Sequence, residues 1–194
     1  MDKIYIVGGG ASGMMAAIQA KTKDNEVILL EKNDRVGKKI LATGNGKCNL
    51  GNENLSVDCY YSKNGSFVEQ VLKRYDTESA VSFFSSIGLK VRSKNGYLYP
   101  YAEQASVVLD VLRMELERRS IQVKPEVQIT DCIPLKKKRG FQLKTSEGKS
   151  YEADRVILAC GGPASLKEGG KDGYNILQKL GLKTYPLVPG LVQL

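Results

Sequence analysis

Residues 3–32 have the sequence KIYIVGGGASGMMAAIQAKTKDNEVILLEK, and this stretch decides the fold. Two short apolar runs, Ile4–Val7 and Val27–Leu30, flank a G-x-G-x-x-G motif at Gly8–Gly13 and a run of small and apolar residues with helical spacing. Short apolar β-branched runs are typical of strands buried on both faces of a parallel sheet. The stretch therefore predicts a strand, a tight glycine turn, a helix and a second strand.

The three motif glycines suit the approach of an anion. Gly8 permits the sharp turn, Gly10 removes the side chain where a pyrophosphate must approach the backbone, and Gly13 lets the helix pack closely on the strand. The N–H groups of the first helical turn and the positive end of the helix dipole favour a negative charge. Ser12 could cap the helix or bond a phosphate oxygen. The pattern predicts a dinucleotide site, with a purely structural glycine turn as the alternative.

An acidic residue ends the second strand. Glu31 lies 18 positions after Gly13, where a carboxylate can accept hydrogen bonds from a ribose diol. Because two anions repel, Glu31 favours an unmodified 2′-hydroxyl over a 2′-phosphate, although the neighbouring Lys32 weakens that inference.

Composition limits the available chemistry. The chain has 194 residues, of which 42% are hydrophobic, enough for one substantial core. It shows no apolar run of about 20 residues and no secretory pattern, so we expect a cytoplasmic protein that does not enter the membrane. Four cysteines without metal-ligand spacing predict reduced thiols and no metal site. The chain has no histidine, so any difficult chemistry must come from a cofactor.

The formal net charge is +8, and its densest cluster is Lys136–Arg139. We interpret this cluster as a solvated hairpin turn rather than a nucleic-acid patch, because no aromatic residue is interleaved for base stacking. A nucleic-acid partner is accordingly not expected.

The segment Val36–Leu50, VGKKILATGNGKCNL, also suits an anionic cofactor. Gly37 allows close backbone approach, and Lys38 and Lys39 carry positive charge. A phosphate-binding P-loop is excluded, since Leu41 occupies the position of its first glycine and Cys48 replaces its Ser or Thr. A surface loop without a ligand is the alternative.

The rest of the chain predicts an α/β fold. Residues 66–87 have helical spacing, with Asp76 as an internal N-cap, and residues 105–119 form a second helical stretch whose apolar side includes Val108, Leu112 and Met114. Further elements are expected as strands at Leu89–Val91, Tyr97–Tyr99 and Ile121–Lys124, an antiparallel meander of Val127–Pro134, Phe141–Thr145 and Ser150–Ala153, a buried strand at Arg155–Ala159, a helix at Tyr174–Leu180 and an extended segment at Thr184–Leu194.

Several motifs resemble a known family. The opening motif with Glu31 is shared by flavoproteins of the glutathione-reductase type, and the meander leading into Ala159-Cys160-Gly161-Gly162 is similar to their second FAD fingerprint. The segment Gly37–Asn49 closely resembles the hallmark of bacterial BaiN-like, or aminoacetone-oxidase-like, FAD-binding enzymes. Gly96–Pro100, Asp172–Tyr174 and Pro186–Pro189 resemble the same family.

The resemblance implies a Rossmann-like FAD-binding domain over residues 1–194, with a parallel sheet, a three-stranded antiparallel meander and a helical excursion between the second and third strands. It also implies an inserted substrate domain and a returning FAD segment further downstream. We therefore expect the chain to be an incomplete FAD-binding domain that is inactive alone.

The resemblance assigns cofactor-binding residues in groups. The pyrophosphate contacts would be Gly8, Gly10, Ala11, Ser12 and Gly13; the adenosine side Glu31, Lys32, Lys39 and Val127; the flavin side Thr43, Gly44, Asn45, Gly46, Lys47, Cys48 and Asn49. Ala159, Cys160 and Gly161 would run beside the cofactor, and Asp172 and Gly173 would lie near its flavin end.

The expected function is that of the FAD-binding part of a flavin-dependent oxidoreductase acting on a small molecule, with NAD(P)H as a candidate electron donor. An RNA-associated flavoprotein and a nucleotide-binding fragment without catalysis are the alternatives. A thiol relay is disfavoured, because Cys48 lacks a partner at C-x-x-x-x-C spacing. Lys47 could stabilise an anionic reduced flavin or anchor a phosphate or an Asn side chain. Catalytic residues, substrate and oligomeric state are not indicated.

Overall fold

The computed structural model describes residues 1–136, 139–163 and 171–187. The strands, numbered in chain order, are β1 (Asp2–Val7), β2 (Asn25–Leu30), β3 (Gly51–Asn52), β4 (Val91–Lys94), β5 (Tyr97–Pro100), β6 (Gln122–Lys124), β7 (Ile129–Pro134), β8 (Phe141–Thr145), β9 (Ser150–Ala153) and β10 (Arg155–Leu158). The α-helices are α1 (Ala11–Ala20), α2 (Gly65–Arg74), α3 (Thr77–Ser86), α4 (Ala105–Arg118) and α5 (Asp172–Lys179). Two 3-10 helical segments lie at Ile40–Gly46 and Val57–Cys59.

The chain divides into two compact units. The first comprises Met1–Val36 and Gln122–Leu194, and the second comprises Gly37–Ile121. The second unit is the helical excursion that the sequence predicted between the second and third strands of the parallel sheet.

A four-stranded parallel sheet forms the centre of the first unit, in the order β10-β1-β2-β6. Val7 at the end of β1 is in register with Leu30 of β2 and with Leu158 of β10. The carboxyl ends of three strands therefore meet at one edge of the sheet, where ligands of such folds bind.

The two faces of this sheet are covered differently. Tyr5, Val7, Ile28 and Leu30 join one core with residues of the antiparallel β7-β8-β9 meander and with Ile176 of α5. Since side chains alternate along a strand, Ile4, Ile6, Val27 and Leu29 face the other side, where α1 packs with Met14, Ala17 and Ile18 buried. The predicted parallel sheet, the meander and the first helix are confirmed.

The second unit is built from α2, α3, α4 and the antiparallel sheet β3-β5-β4. Asp76 accepts a hydrogen bond of 2.8 Å from the N–H of Ser79, which confirms it as the N-cap of α3. The first hairpin strand begins and ends later than predicted, at Val91–Lys94, because the turn with positive φ lies at Asn95 and Gly96. The second strand begins at Tyr97 as predicted and extends one residue further, to Pro100.

Helix α4 corrects one expectation about its buried side. Val108 and Leu112 are buried as predicted, whereas Met114 is 66% exposed and Leu109 is buried instead. Part of the basic cluster, 137–138, residues 164–170 and the end of the extended segment, 188–194, lie outside the described residues.

Candidate dinucleotide-binding site

The glycine turn after β1 has no room for a side chain at Gly8. Its φ is +109°, and an added Cβ would lie 2.4 Å from the carbonyl oxygen of Ala159. Its N–H donates to the carbonyl of Leu30 at 2.8 Å. The turn is thus fixed between β2 and the end of β10.

Gly13 allows the closest approach in this region. An added Cβ would lie 1.8 Å from the carbonyl oxygen of Gly8. Helix α1 therefore passes directly against the turn that precedes it, as the spacing of the motif predicted.

Gly10 has the opposite environment, since an added Cβ would meet no atom within 4 Å. It is the N-cap of α1, no side chain caps the helix, and the first helical bond runs from the N–H of Met14 to the carbonyl of Gly10 at 2.9 Å. The N–H groups of the first turn precede that bond and need an acceptor from outside the helix. An anion would find open space and main-chain donors here, so the residues fit a pyrophosphate.

Ser12 does not cap the helix. Helix α1 begins at Ala11, which places Ser12 inside its first turn rather than before it. Both residues are exposed. The alternative role of the Ser12 hydroxyl, a hydrogen bond to a phosphate oxygen, stays a prediction.

Glu31 is held by groups that the sequence did not indicate. Its carboxylate is 7% exposed and accepts hydrogen bonds from the N–H of Gly9 at 2.7 Å and from the N–H of Asn33 at 2.8 Å. The side-chain amide of Asn33 donates to the same oxygen as its N–H. A carboxylate has about four acceptor positions, and three are used here, so Glu31 keeps capacity for about one hydroxyl of a diol while it fastens the glycine turn to the end of β2.

Lys32 and Asp172 form an ion pair with 2.8 Å between Nζ and Oδ2. The resemblance placed Lys32 at the adenosine side and Asp172 near the flavin end, and the ion pair brings these two side chains together. The part of the cofactor that each residue would contact stays a prediction. Val127 lies in the same region, and its N–H donates to the carbonyl of Glu31 at 2.8 Å.

The end of β10 packs against the start of α5. Ala159 donates its N–H to the carbonyl of Val7 at 2.8 Å, and an added Cβ on Gly173 would lie 2.9 Å from the Cβ of Cys160. Burial, followed by the charge of Asp172, raises the pKa of the Cys160 thiol, which lies 3.5 Å from the Val7 carbonyl oxygen. Cys160 is therefore a small protonated packing residue. Gly161 is exposed with φ of +70°.

The predicted flavin-side residues lie in the second unit. They form the end of a 3-10 helical segment and a tight turn with several residues at positive φ. Gly44, Asn45, Gly46 and Cys48 have positive φ, and the N–H of Cys48 donates to the carbonyl of Thr43 at 3.1 Å. Thr43, Gly44, Asn45, Gly46, Lys47 and Asn49 are exposed, whereas Cys48 is buried. The segment thus presents small and polar groups outward around one buried thiol.

Two further predictions in this unit have different outcomes. Gly37 was expected to let a cofactor approach, but an added Cβ would lie 2.1 Å from Cδ1 of Leu109. The missing side chain makes room for α4, so that interpretation was wrong. Lys39 is exposed, and its position near adenosine stays a prediction.

The sequence also missed an ionic cluster in the second unit. Glu103 lies among Lys47, Arg92 and Lys94, with 3.3 Å between its Oε2 and Nζ of Lys47. No motif signals this arrangement, because its members are separated by up to 56 residues along the chain.

Two other kinds of functional feature, a metal centre and a membrane-spanning helix, are absent from the described ranges. Within 1–136, 139–163 and 171–187, no three or more His, Cys, Asp or Glu side chains are placed to hold a metal ion. None of the helices in those ranges has the length and apolar character that crossing a bilayer requires.

The parallel sheet, the glycine turn and the acid at the end of β2 define a Rossmann domain of the FAD-binding type found in flavin oxidoreductases. The chain belongs to the family described as HI0933-like protein Rossmann domain, whose model matches residues 2–194. The family resemblance seen in the sequence is thereby supported.

Relatives of known function extend this result. The chain is 44% identical over 197 residues to a 3-dehydro-bile acid delta(4,6)-reductase of Clostridium scindens, covering 100% of this chain and 47% of that protein. It is 27% identical over 189 residues to a ribosomal RNA dihydrouridine synthase of Escherichia coli, covering 96% and 46%. The chain thus spans about half the length of these relatives.

A solved structure shows the same fold. A flavocytochrome c3 fumarate reductase in an open conformation superposes with a TM-score of 0.63 at 16% identity, covering 92% of this chain and 40% of that one.

Proposed function

We propose that this chain binds FAD as the cofactor domain of a reductase that acts on a small organic molecule. The observation that carries the proposal is the open space at Gly10, directly in front of the unpaired first turn of α1. That position suits the pyrophosphate, and Glu31 at the neighbouring strand end suits the adenosine ribose. When bound, FAD supplies the two-electron redox chemistry of the proposed reductase.

The protein residues bind and orient the cofactor in this proposal. Gly8, Ala11, Ser12 and Gly13 surround the pyrophosphate position. Lys32, Asp172 and Val127 would border the adenosine. Ala159, Cys160, Gly161 and Gly173 would line the edge of the sheet. The exposed segment Thr43–Asn49, with Lys47, would contact the flavin, and Lys39 would lie toward adenosine.

The reaction of the whole protein follows from the relative in Clostridium scindens by analogy. That relative is named a 3-dehydro-bile acid delta(4,6)-reductase, and at 44% identity we propose the same reaction class here, with NAD(P)H as the electron donor. We also propose a cytoplasmic location, which agrees with four cysteines that form no disulfide.

The test uses the intact gene product. We expect a yellow preparation that releases FAD on denaturation, bleaches with NAD(P)H and recovers its colour in air. A colourless preparation that takes up no added FAD would refute cofactor binding. If the bound flavin bleaches with dithionite but with neither NADH nor NADPH, only the proposal that NAD(P)H is the electron donor would be refuted.

A second candidate acts on RNA. The 27% identity to a ribosomal RNA dihydrouridine synthase favours it, and the +8 charge would attract a polyanion. Binding of ribosomal RNA fragments that falls steeply with salt, together with loss of uridine absorbance under NAD(P)H, would support this candidate over the first.

A further inference from the structure

The cluster around Glu103 gathers three cations on one carboxylate. Lys47 Nζ lies 3.3 Å from Oε2, Lys94 Nζ lies 3.8 Å from Oε1, and the Arg92 guanidinium contacts Oε1. The Glu103 side chain is 22% exposed, whereas the three cations are between 39% and 57% exposed. Glu103 therefore lies at the base of the cluster and holds the cationic groups together nearer the surface.

One carboxylate balances one of these three charges. Two positive charges remain in excess, and like charges held together are unfavourable unless an anion joins them. The Nε–H of Arg92 and the Oε1 of Glu103 are both buried without a hydrogen-bond partner among the described residues. The excess of positive charge is therefore the observation that favours an anionic ligand.

A small cavity opens on two of these cations, Lys47 and Lys94, and on Glu103. Its volume is about 190 Å³, and its lining consists of Lys47, Lys94, Asn95, Tyr97, Tyr99 and Glu103. Tyr97 and Tyr99 alternate with the buried Leu98 along β5, so both project from the same side of the strand. They bring aromatic rings to a cavity that also carries cationic and amide donors.

The volume limits the ligand. Sites for drug-sized molecules measure about 300–1,000 Å³, so this cavity suits a single ring or a similar fragment. Two cations suit one carboxylate or phosphate, and tyrosine rings suit a flat or alicyclic body.

We propose that this cavity is a binding site for an organic oxyanion, with the acid group between Lys47 and Lys94 and the hydrocarbon body against Tyr97 and Tyr99. Glu103 is the positioning residue that holds the ammonium groups of the two lysines at the cavity. The site stands independently of FAD binding, although Lys47 also belongs to the segment proposed to contact the flavin.

Benzoate and its neutral isostere benzamide provide the test, titrated into the intact protein and followed by ligand-observed NMR and calorimetry. We expect millimolar binding of benzoate and binding of benzamide weaker by about tenfold, because benzamide has a similar shape but lacks the negative charge and presents an NH2 donor in place of one acceptor oxygen. The same titration with phenyl phosphate in place of benzoate shows whether the cavity binds a phosphate group more tightly than a carboxylate group.

The matched variants are Lys94→Gln and Lys63→Gln, of which the second removes an exposed lysine outside the cluster. Lys94→Gln should weaken benzoate binding about fivefold, while Lys63→Gln should leave it unchanged, and both should keep their FAD content and melting temperature. Equal binding of benzoate and benzamide, no effect of Lys94→Gln, or no benzoate binding up to about 10 mM would each overturn the proposal. Loss of FAD uptake in the intact protein would refute the proposed function without touching this site.

Discussion

The main-chain N–H of Gly9 donates a hydrogen bond of 2.7 Å to the carboxylate of Glu31, 22 residues further along the chain. The bond joins the glycine turn to the end of β2, so one buried carboxylate both shapes the turn proposed to bind the pyrophosphate and lies beside it. Glu31 therefore has a structural role in addition to the ribose contact that the sequence predicted.

Replacement of Glu31 should affect both roles. Glu31→Ala leaves the N–H groups of Gly9 and Asn33 without an acceptor, and we expect a loss of about 1–3 kcal/mol in the free energy of unfolding. FAD uptake should weaken by about 1–3 kcal/mol as well, because the charge-assisted bonds to the diol are lost. Urea unfolding measures the first effect and FAD titration of the apoprotein the second.

Glu26→Gln is the control for this variant, since Glu26 lies on the same strand and its side chain is 45% exposed. It should change neither quantity by more than about 0.5 kcal/mol. A Glu31→Ala protein with lower stability but unchanged FAD affinity would move the ribose to another residue.

Replacement of Gly10 separates binding from folding. An added side chain meets no protein atom within 4 Å and φ is −77°, so Gly10→Val should fold with near-normal stability. The valine would occupy the space proposed for the pyrophosphate, and FAD uptake should be abolished. The measurement is the flavin absorbance of the purified variant, normalised to protein.

Gly65 provides the matched control, because it also stands at the start of a helix with open space around its Cα. Gly65→Val should retain its flavin. Undiminished flavin in Gly10→Val would place the pyrophosphate elsewhere.

Local pattern predicted the first unit well. The strand–turn–helix–strand order follows from glycine spacing and apolar runs, which act within a few residues. In the second unit, helix α4 follows the same local logic: Ala105, Val108, Leu109, Leu112 and Leu116 are buried, the i, i+3, i+4, i+7 stripe that faces a core. Met114 lies off that stripe, so its hydrophobicity alone gave the wrong prediction.

The site was predicted less completely, because its contacts join distant parts of the chain. Lys32 and Asp172 are 140 residues apart, and Glu103 meets cations from two other segments. At Gly37 the sequence predicted too much. A glycine beside two lysines suggested that a cofactor approaches there, but the space left by the missing side chain is occupied by Leu109. Sequence spacing shows where glycines leave the backbone without a side chain. Tertiary packing determines whether a ligand or another side chain occupies that space.

The cysteines should differ strongly in reactivity. Cys59 is exposed, whereas burial raises the pKa of both Cys132 and Cys160 and lowers their thiolate fraction near neutral pH. Iodoacetamide at about pH 8 should modify Cys59 at least about tenfold faster than Cys132 or Cys160. Peptide mass mapping at successive times measures the modification rate of each cysteine.

Cys59→Ser should remove the fast phase and leave the slow one. Modification of Cys160 at the rate of Cys59 would show that the end of β10 is open and its thiol reactive, contrary to its packing against Gly173.

Acid should destabilise the protein through Glu115 on α4. The Arg118 hydrogen bond, assisted by Arg119, lowers the pKa of Glu115 from 4.5 to about 2, and the carboxylate is 4% exposed. Because the folded pKa lies below the unfolded value, the stabilisation is fully present above about pH 4.5 and is lost as the pH falls toward 2. Arg118 is 68% exposed, so solvent screening limits the contribution to about 1–3 kcal/mol.

Urea unfolding of wild type, Glu115→Gln and Glu117→Gln at about pH 7 and about pH 2.5 tests this sign. Glu115→Gln should be less stable than wild type at the higher pH, and the difference should shrink at the lower pH, where the wild-type carboxylate approaches its own protonation. Glu117 is exposed on the same helix, and its replacement should leave the pH dependence as in wild type. If Glu115→Gln has the same free energy of unfolding as wild type at pH 7, the interaction of the two arginines with the carboxylate would be no more favourable than their interaction with water.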